Sequence, residues 1–285
     1  MKLGKKGTLF RDGKSEKISK GVFFMAWFYA KDANLYFEDR GNGIPLVFIH
    51  PPVLTGMNFK YQLEELAKDF RVIAPDLRGH GKSEASNRPF SYSLIVEDLR
   101  TMLKHLNIDK AILCGYSTGG SIALQFMVQA PEKVLGGVLL GGLSEVMEKD
   151  DRLKNYISMG AKAAELGARS TLAFAISYSN ANNFSYFKEL FSEAKKGSAK
   201  KMQEYYECSL QFNITKELVN IQVPVLLLYG EKDKDFIPYG HLNHKFLPNS
   251  TIHYISGVKH QIPTKNHKEV NQQIKGFIES TILTC

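Results

Sequence analysis

Gly115-Tyr116-Ser117-Thr118-Gly119 decides the reading of this chain, because of what stands on either side of it. Upstream, Lys110-Ala-Ile-Leu-Cys114 is a short apolar stretch with the length of a buried strand. Downstream, Ser121-Ile-Ala-Leu-Gln-Phe-Met-Val128 carries a helical pattern that stops at Ala130-Pro131. Strand, tight glycine-flanked turn, then helix is the setting in which a serine hydroxyl is lifted above a sheet edge. The glycines permit the sharp turn and close backbone approach. The helix N-terminus behind the serine offers unpaired N–H groups and positive dipole to a developing oxyanion. This local pattern points to acyl-transfer chemistry.

A bare G-x-S-x-G also arises in any glycine-rich loop, so the remainder of the chain has to support it. Val223-Pro-Val-Leu-Leu-Leu-Tyr229 reads as a buried strand and is followed by Gly230-Glu231-Lys232-Asp233. Thr251-Ile-His-Tyr-Ile255 reads as another and is followed by Gly257-Val258-Lys259-His260. Ser117, Asp233 and His260 thus each stand just past a strand's C-terminal end, where side chains of a parallel sheet converge on one crevice.

The order Ser, Asp, His is that of the α/β-hydrolases, and from about Asn34 to Phe277 the chain resembles that superfamily, in particular its serine-nucleophile esterase and lactonase-like members. Asp76-Leu-Arg-Gly-His-Gly-Lys-Ser83, after the strand Arg71-Val-Ile-Ala-Pro75, is similar to the family's loop after its fourth strand. His50-Pro51-Pro52 sits where the family usually has His-Gly-x. The resemblance implies a mostly parallel, doubly wound sheet with an inserted helical cap. It also implies Ser117 as nucleophile, His260 as general base and Asp233 as the acid that orients the imidazole, with no cofactor and no metal.

Two departures from the family's pattern carry chemistry. A proline commonly follows the family's acid at a fixed spacing, and neither Asp233 nor Asp235 reproduces it with Pro238. Spacing from Gly230 favours Asp233, with Asp235 the runner-up and Glu145 third. The second departure concerns the oxyanion donors. Thr118 N–H supplies one, but the residue that normally supplies the other is here Pro52, which has no N–H. Val53 N–H is therefore the expected second donor, helped by a cis bond in the proline pair. His80 is read as a structural loop residue, since no second ligand lies at a metal-binding spacing from it.

Alternating strands and helices argue for a parallel sheet covered on both faces. Early elements are a strand over Ala33–Asp39, a continuous apolar strand over Pro45–Ile49 and a helix from Phe59 to Phe70. A further helix follows, with Ser91 as N-cap, running to His105. Residues 144–221 break the rhythm with helical patterns alone, and the resemblance makes them the cap over core segments 25–143 and 222–285. The ten Phe and Tyr of the cap support a moderately apolar pocket. The last helix carries Val270, Ile274, Phe277 and Ile278 toward the sheet.

The net charge of +8 is concentrated in residues 1–24, which hold seven Lys/Arg against two Asp/Glu. No basic stripe with interleaved aromatics marks a nucleic-acid module, so no nucleic acid partner is expected. A basic stretch ahead of the apolar run Val22–Tyr29 resembles a secretory signal, but the run is bulky and no small-residue cleavage site follows. Lys20-Gly21-Val22 can be encoded as a purine-rich element just upstream of Met25, so residues 1–24 are expected to be a disordered or non-native extension. Three cysteines give no disulfide framework, in keeping with a reducing, cytoplasmic setting. No run reaches the length of a membrane-spanning helix, and no membrane partner is expected. The expected partner is a small acyl substrate, with oligomeric state left open. Perhydrolysis or lactone opening by the same triad, and a small-molecule sensor on the same fold, are the alternative readings.

Overall fold

A computed structural model describes residues 23–283 of the chain. The expected extension over residues 1–24 lies outside the described residues except for Phe23 and Phe24, which already belong to the first strand. The core opens with an antiparallel pair, β1 (Phe23–Ala30) and β2 (Ala33–Arg40), followed by β3 (Pro45–Ile49). Next come α1 (Lys60–Glu65), β4 (Arg71–Pro75), α2 (Tyr92–His105), β5 (Ala111–Tyr116), α3 (Thr118–Gln129) and β6 (Val134–Leu140). Four helices then leave the sheet: α4 (Asp151–Glu165), α5 (Arg169–Asn180), α6 (Phe184–Ala194) and α7 (Ala199–Gln211). The core resumes with β7 (Val225–Gly230), α8 (Ile237–Phe246) and β8 (Ser250–Ile255), and ends in α9 (Ile262–Lys265) and α10 (His267–Phe277).

The eight strands form one sheet in the order β1-β2-β4-β3-β5-β6-β7-β8, parallel from β4 through β8. Both faces of the central strands are covered, so their successive residues enter opposite cores. Val47 and Leu113 face the layer under α2 and α3, whereas Leu46, Phe48, Ile112 and Cys114 face the layer under α1 and α10. That is why these strands read as unbroken apolar runs and not as alternating ones. The strand order reverses at β3, whose neighbours are β4 on one side and β5 on the other. A crevice opens at such a reversal, at the carboxyl ends of the strands.

The apolar run that resembled a secretory signal forms β1, hydrogen-bonded along its whole length to β2. The helix expected over Phe59–Phe70 is broken into 3₁₀ turns on both sides of α1, although Phe59, Leu63, Leu66 and Phe70 are all buried as the pattern requires. Gly41 presses on the helix's last turn, where a Cβ would lie 2.2 Å from Phe70 O. Ser91 caps α2 by accepting from Leu94 N at 3.1 Å. At the neck of the four-helix insertion, Glu145 bridges Asn213, and Ile214 N donates to Ser144 O at 3.0 Å. No helix among the described residues is long and apolar enough to cross a membrane.

Candidate active site

Ser117 occupies the single residue between β5 and α3, with φ 54° and ψ −125°. A non-glycine residue rarely adopts that backbone, and such strain persists only where the surroundings over-determine it. Here Ser117 N donates to Leu140 O of β6 at 2.9 Å, and Ser117 O accepts from Gly120 N at 2.8 Å. The flanking glycines are explained by contact. A Cβ on Gly115 would lie 2.4 Å from Gly119 O, and one on Gly119 would lie 2.2 Å from Ile49 O. The turn can therefore be this tight, and this close to β3, only with glycine at both positions.

The loops after β7 and β8 are fastened to each other. Glu231 N donates to Ile255 O and Lys232 N to Val258 O, each at 2.9 Å. This brings Asp233 Oδ2 within 2.9 Å of His260 Nδ1, with side-chain exposures of 5% and 17%. Phe236 stacks on the imidazole with centroids 3.7 Å apart. Gly141, after β6, lies against it: a Cβ there would be 2.8 Å from His260 Cε1. The outer nitrogen, Nε2, is buried with no hydrogen-bond partner. Ser117, Thr118, Asp233 and His260 line one cavity of about 360 Å³, roofed by α4, α5 and α7 through residues such as Ile157, Ile176 and Tyr206. Ser117 Oγ and His260 Nε2 share this cavity without a hydrogen bond between them.

The three candidate acids are separated by their partners. Asp233 holds the imidazole, whereas Asp235 is exposed and pairs with Arg152 Nη1 of α4 at 2.8 Å. Glu145 accepts from Thr215 Oγ1 at 2.7 Å at the neck of the insertion, away from the histidine.

The loop after β3 corrects one expectation: no peptide among the described residues is cis, the Pro51-Pro52 pair included. The chain turns instead at Val53, whose φ is 72°. A β-branched residue in that region costs roughly 1–2 kcal/mol. Its side chain, fully buried, is held in an apolar cluster with Ile157, Ala161, Met202 and Tyr206 of the inserted helices. His50 fixes the start of the loop: Nε2 accepts from Leu77 N at 2.9 Å while Nδ1 meets Pro51 O at 2.8 Å. Those partners specify a neutral ring, and burial holds its pKa well below the ordinary histidine value. Tyr205 of α7 donates to His50 O at 3.0 Å, tying the inserted helices to this loop.

His80 is buried beside His50, with ring centroids 5.3 Å apart, and Nδ1 lies 3.2 Å from Arg78 O. Burial lowers its pKa to about 4. No group of three or more His, Cys, Asp or Glu among the described residues is arranged to hold a metal ion.

Sequence reasoning did not anticipate Gly141, Phe236, Tyr116 or Asn180. Tyr116 OH donates to Asn180 Oδ1 at 3.1 Å, and both line the cavity. Of these, Gly141-Gly142 at the end of a buried strand carried a usable sign, since paired glycines there mark a close approach.

Residues 44–157 match the family model described as the alpha/beta hydrolase fold. The chain is 29% identical over 229 residues to the AB hydrolase superfamily protein YisY of Bacillus subtilis (strain 168), covering 70% of this chain and 78% of that one. It is 24% identical over 277 residues to the bifunctional esterase/perhydrolase DCH of Acinetobacter calcoaceticus, covering 90% of this chain and 100% of that one. The bromoperoxidase of Bacillus anthracis superposes with a TM-score of 0.81 at 23% identity, over 91% of this chain and 100% of that one. At that identity the superposition speaks for the fold.

Proposed function

We propose that this chain, which has the α/β-hydrolase fold, is a serine hydrolase cleaving carboxylic esters or related acyl compounds. One observation carries the reading. Asp233 holds His260 by Nδ1 and leaves Nε2 bare inside the cavity that Ser117 lines.

In this reading, rotation of the Ser117 side chain brings Oγ to Nε2, a contact that apo sites often lack. Oγ attacks the substrate's carbonyl carbon as Nε2 takes its proton, and Asp233 stabilises the imidazolium. The oxyanion forms against Thr118 N–H at the start of α3 and Val53 N–H across the cleft. Collapse expels the alcohol, which receives the proton from Nε2 and leaves a seryl ester. Water, deprotonated by His260, then attacks that ester, releases the acid and restores Ser117. No cofactor takes part in any step.

Hydrolysis of a short-chain p-nitrophenyl ester tests the proposal. Ser117→Ala should lower turnover by roughly 10⁴-fold or more, and a fluorophosphonate should label the Ser117 peptide. A folded wild-type protein that neither turns over the ester nor takes the label refutes it. A second reading, perhydrolysis, draws support from the esterase/perhydrolase relative. Hydrogen peroxide would replace water at the seryl ester and release a peracid. Peracid formed from acetate and peroxide, and lost in Ser117→Ala, is its measure.

A further inference from the structure

We propose that the outer face of the α5–α6 pair is a docking surface for an anionic lipid bilayer, on which the protein lies without spanning it. The sequence expectation of no membrane partner rested on the absence of a spanning run, which leaves a surface-lying face untested. Phe174, Tyr178 and Phe184 are 52%, 69% and 72% exposed. With Phe187 and Phe191 they form a continuous ring ladder across the two helices. Phe174 meets Phe187 edge-on at 5.2 Å, and Phe187 stacks on Phe191 at 5.9 Å. Contiguous exposed apolar surface of this kind marks an interaction site, unlike scattered single residues.

Charge selects the occupant. Lys188 Nζ lies 5.2 Å from the Phe184 ring centroid, and Lys195 Nζ lies 5.6 Å from that of Phe191. The two carboxylates of α6 are already engaged, Glu189 by Lys60 at 2.8 Å and Glu193 by Lys196 at 2.6 Å; α5 carries none. Aromatic rings rimmed by exposed lysines suit the headgroup level of an anionic bilayer. A second copy is disfavoured, because a two-fold contact through this face would set its lysines against those of the partner. Ile176 and Asn180, on the inner side of α5, line the cavity. Apolar compounds dissolved in the bilayer would therefore lie next to it.

Cosedimentation with vesicles of phosphatidylcholine containing phosphatidylglycerol, against phosphatidylcholine alone, tests the surface in the full-length protein. The wild type should bind the anionic vesicles and be released by high salt. Lys188→Gln with Lys195→Gln should weaken that binding roughly thirtyfold. Phe174→Ser, Tyr178→Ser and Phe184→Ser together should abolish it, while circular dichroism shows a folded chain. Wild-type protein that stays in the supernatant overturns the proposal. So does undiminished binding by both cap variants, which would assign binding to another basic region such as residues 1–24. Self-association of the wild type that the triple variant abolishes would give the face to a second copy.

Discussion

Gly141→Ala should disable the site without touching any of its reacting groups. Gly141 has φ 61°, and a Cβ there would lie 2.8 Å from His260 Cε1 and 3.0 Å from Nδ1. Ordinary contact begins at 3.4 Å, so the ring has to withdraw by about 0.6 Å, a shift on the scale at which misplacement costs up to roughly 10²-fold in rate. The imidazole has little room to yield: Phe236 covers it at 3.7 Å, and Nδ1 is tied to Asp233 at 2.9 Å. We expect kcat for ester hydrolysis to fall roughly tenfold to a hundredfold, with KM within about twofold because the contact is to the base and not to substrate. Left-handed alanine also costs roughly 1–2 kcal/mol of stability. Gly257→Ala separates the two effects. Its φ is 71° and its Cβ would meet nothing within 4 Å, so it should lose comparable stability and keep its kcat. Steady-state kinetics on both variants, with thermal melts alongside, decide the matter. The reasoning fails if folded Gly141→Ala keeps wild-type kcat, or if Gly257→Ala loses as much.

Asp233→Asn should reduce kcat by roughly 10⁴-fold, whereas Asp235→Asn, whose carboxylate pairs with exposed Arg152, should change it only a few-fold. The reverse ranking would move the acid to Asp235. Stability should fall on acidification because burial keeps His80 neutral down to about pH 4, whereas an unfolded-chain histidine titrates near 6.5. Between those values the unfolded state binds more protons, so the contribution is full above about pH 6.5 and is lost as pH falls toward 4, a total of about 3 kcal/mol. His50, also depressed by burial, acts in the same direction. Urea midpoints between neutral pH and pH 5 measure the slope, and His80→Gln should make it shallower; an unchanged slope refutes the assignment.

How much of this was legible in the sequence depended on whether a residue's environment is local. Buried parallel strands are apolar on both faces, so β3 to β7 announced themselves as runs, whereas β8, an edge strand with only Ile255 buried, gave a shorter and more polar one. The positions of Ser117, Asp233 and His260 at strand ends followed. β1 did not, because its outward side chains are apolar too. Trp27 and Tyr29 are half or more exposed while Phe28 and Ala30 are buried, and Trp27 packs edge-on against Tyr36 of β2 at 5.4 Å. The alternation exists in space but is erased in composition.

The site's illegible parts are contacts across long separations. The proline spacing that left Asp233 and Asp235 in competition is silent about Arg152, which engages one carboxylate from an inserted helix 83 residues away in sequence. The missing donor at Pro52 pointed to Val53, but nothing local says that a valine would turn through a left-handed φ. The inserted helices supply the reason, burying its side chain among Ile157, Met202 and Tyr206 and fixing His50 O through Tyr205. Those helices are therefore more than a roof over the cavity. They hold the strained loop that shares the cavity with Ser117, so a change in their packing at Met202 or Tyr205 is a change to the loop proposed to carry the second oxyanion donor.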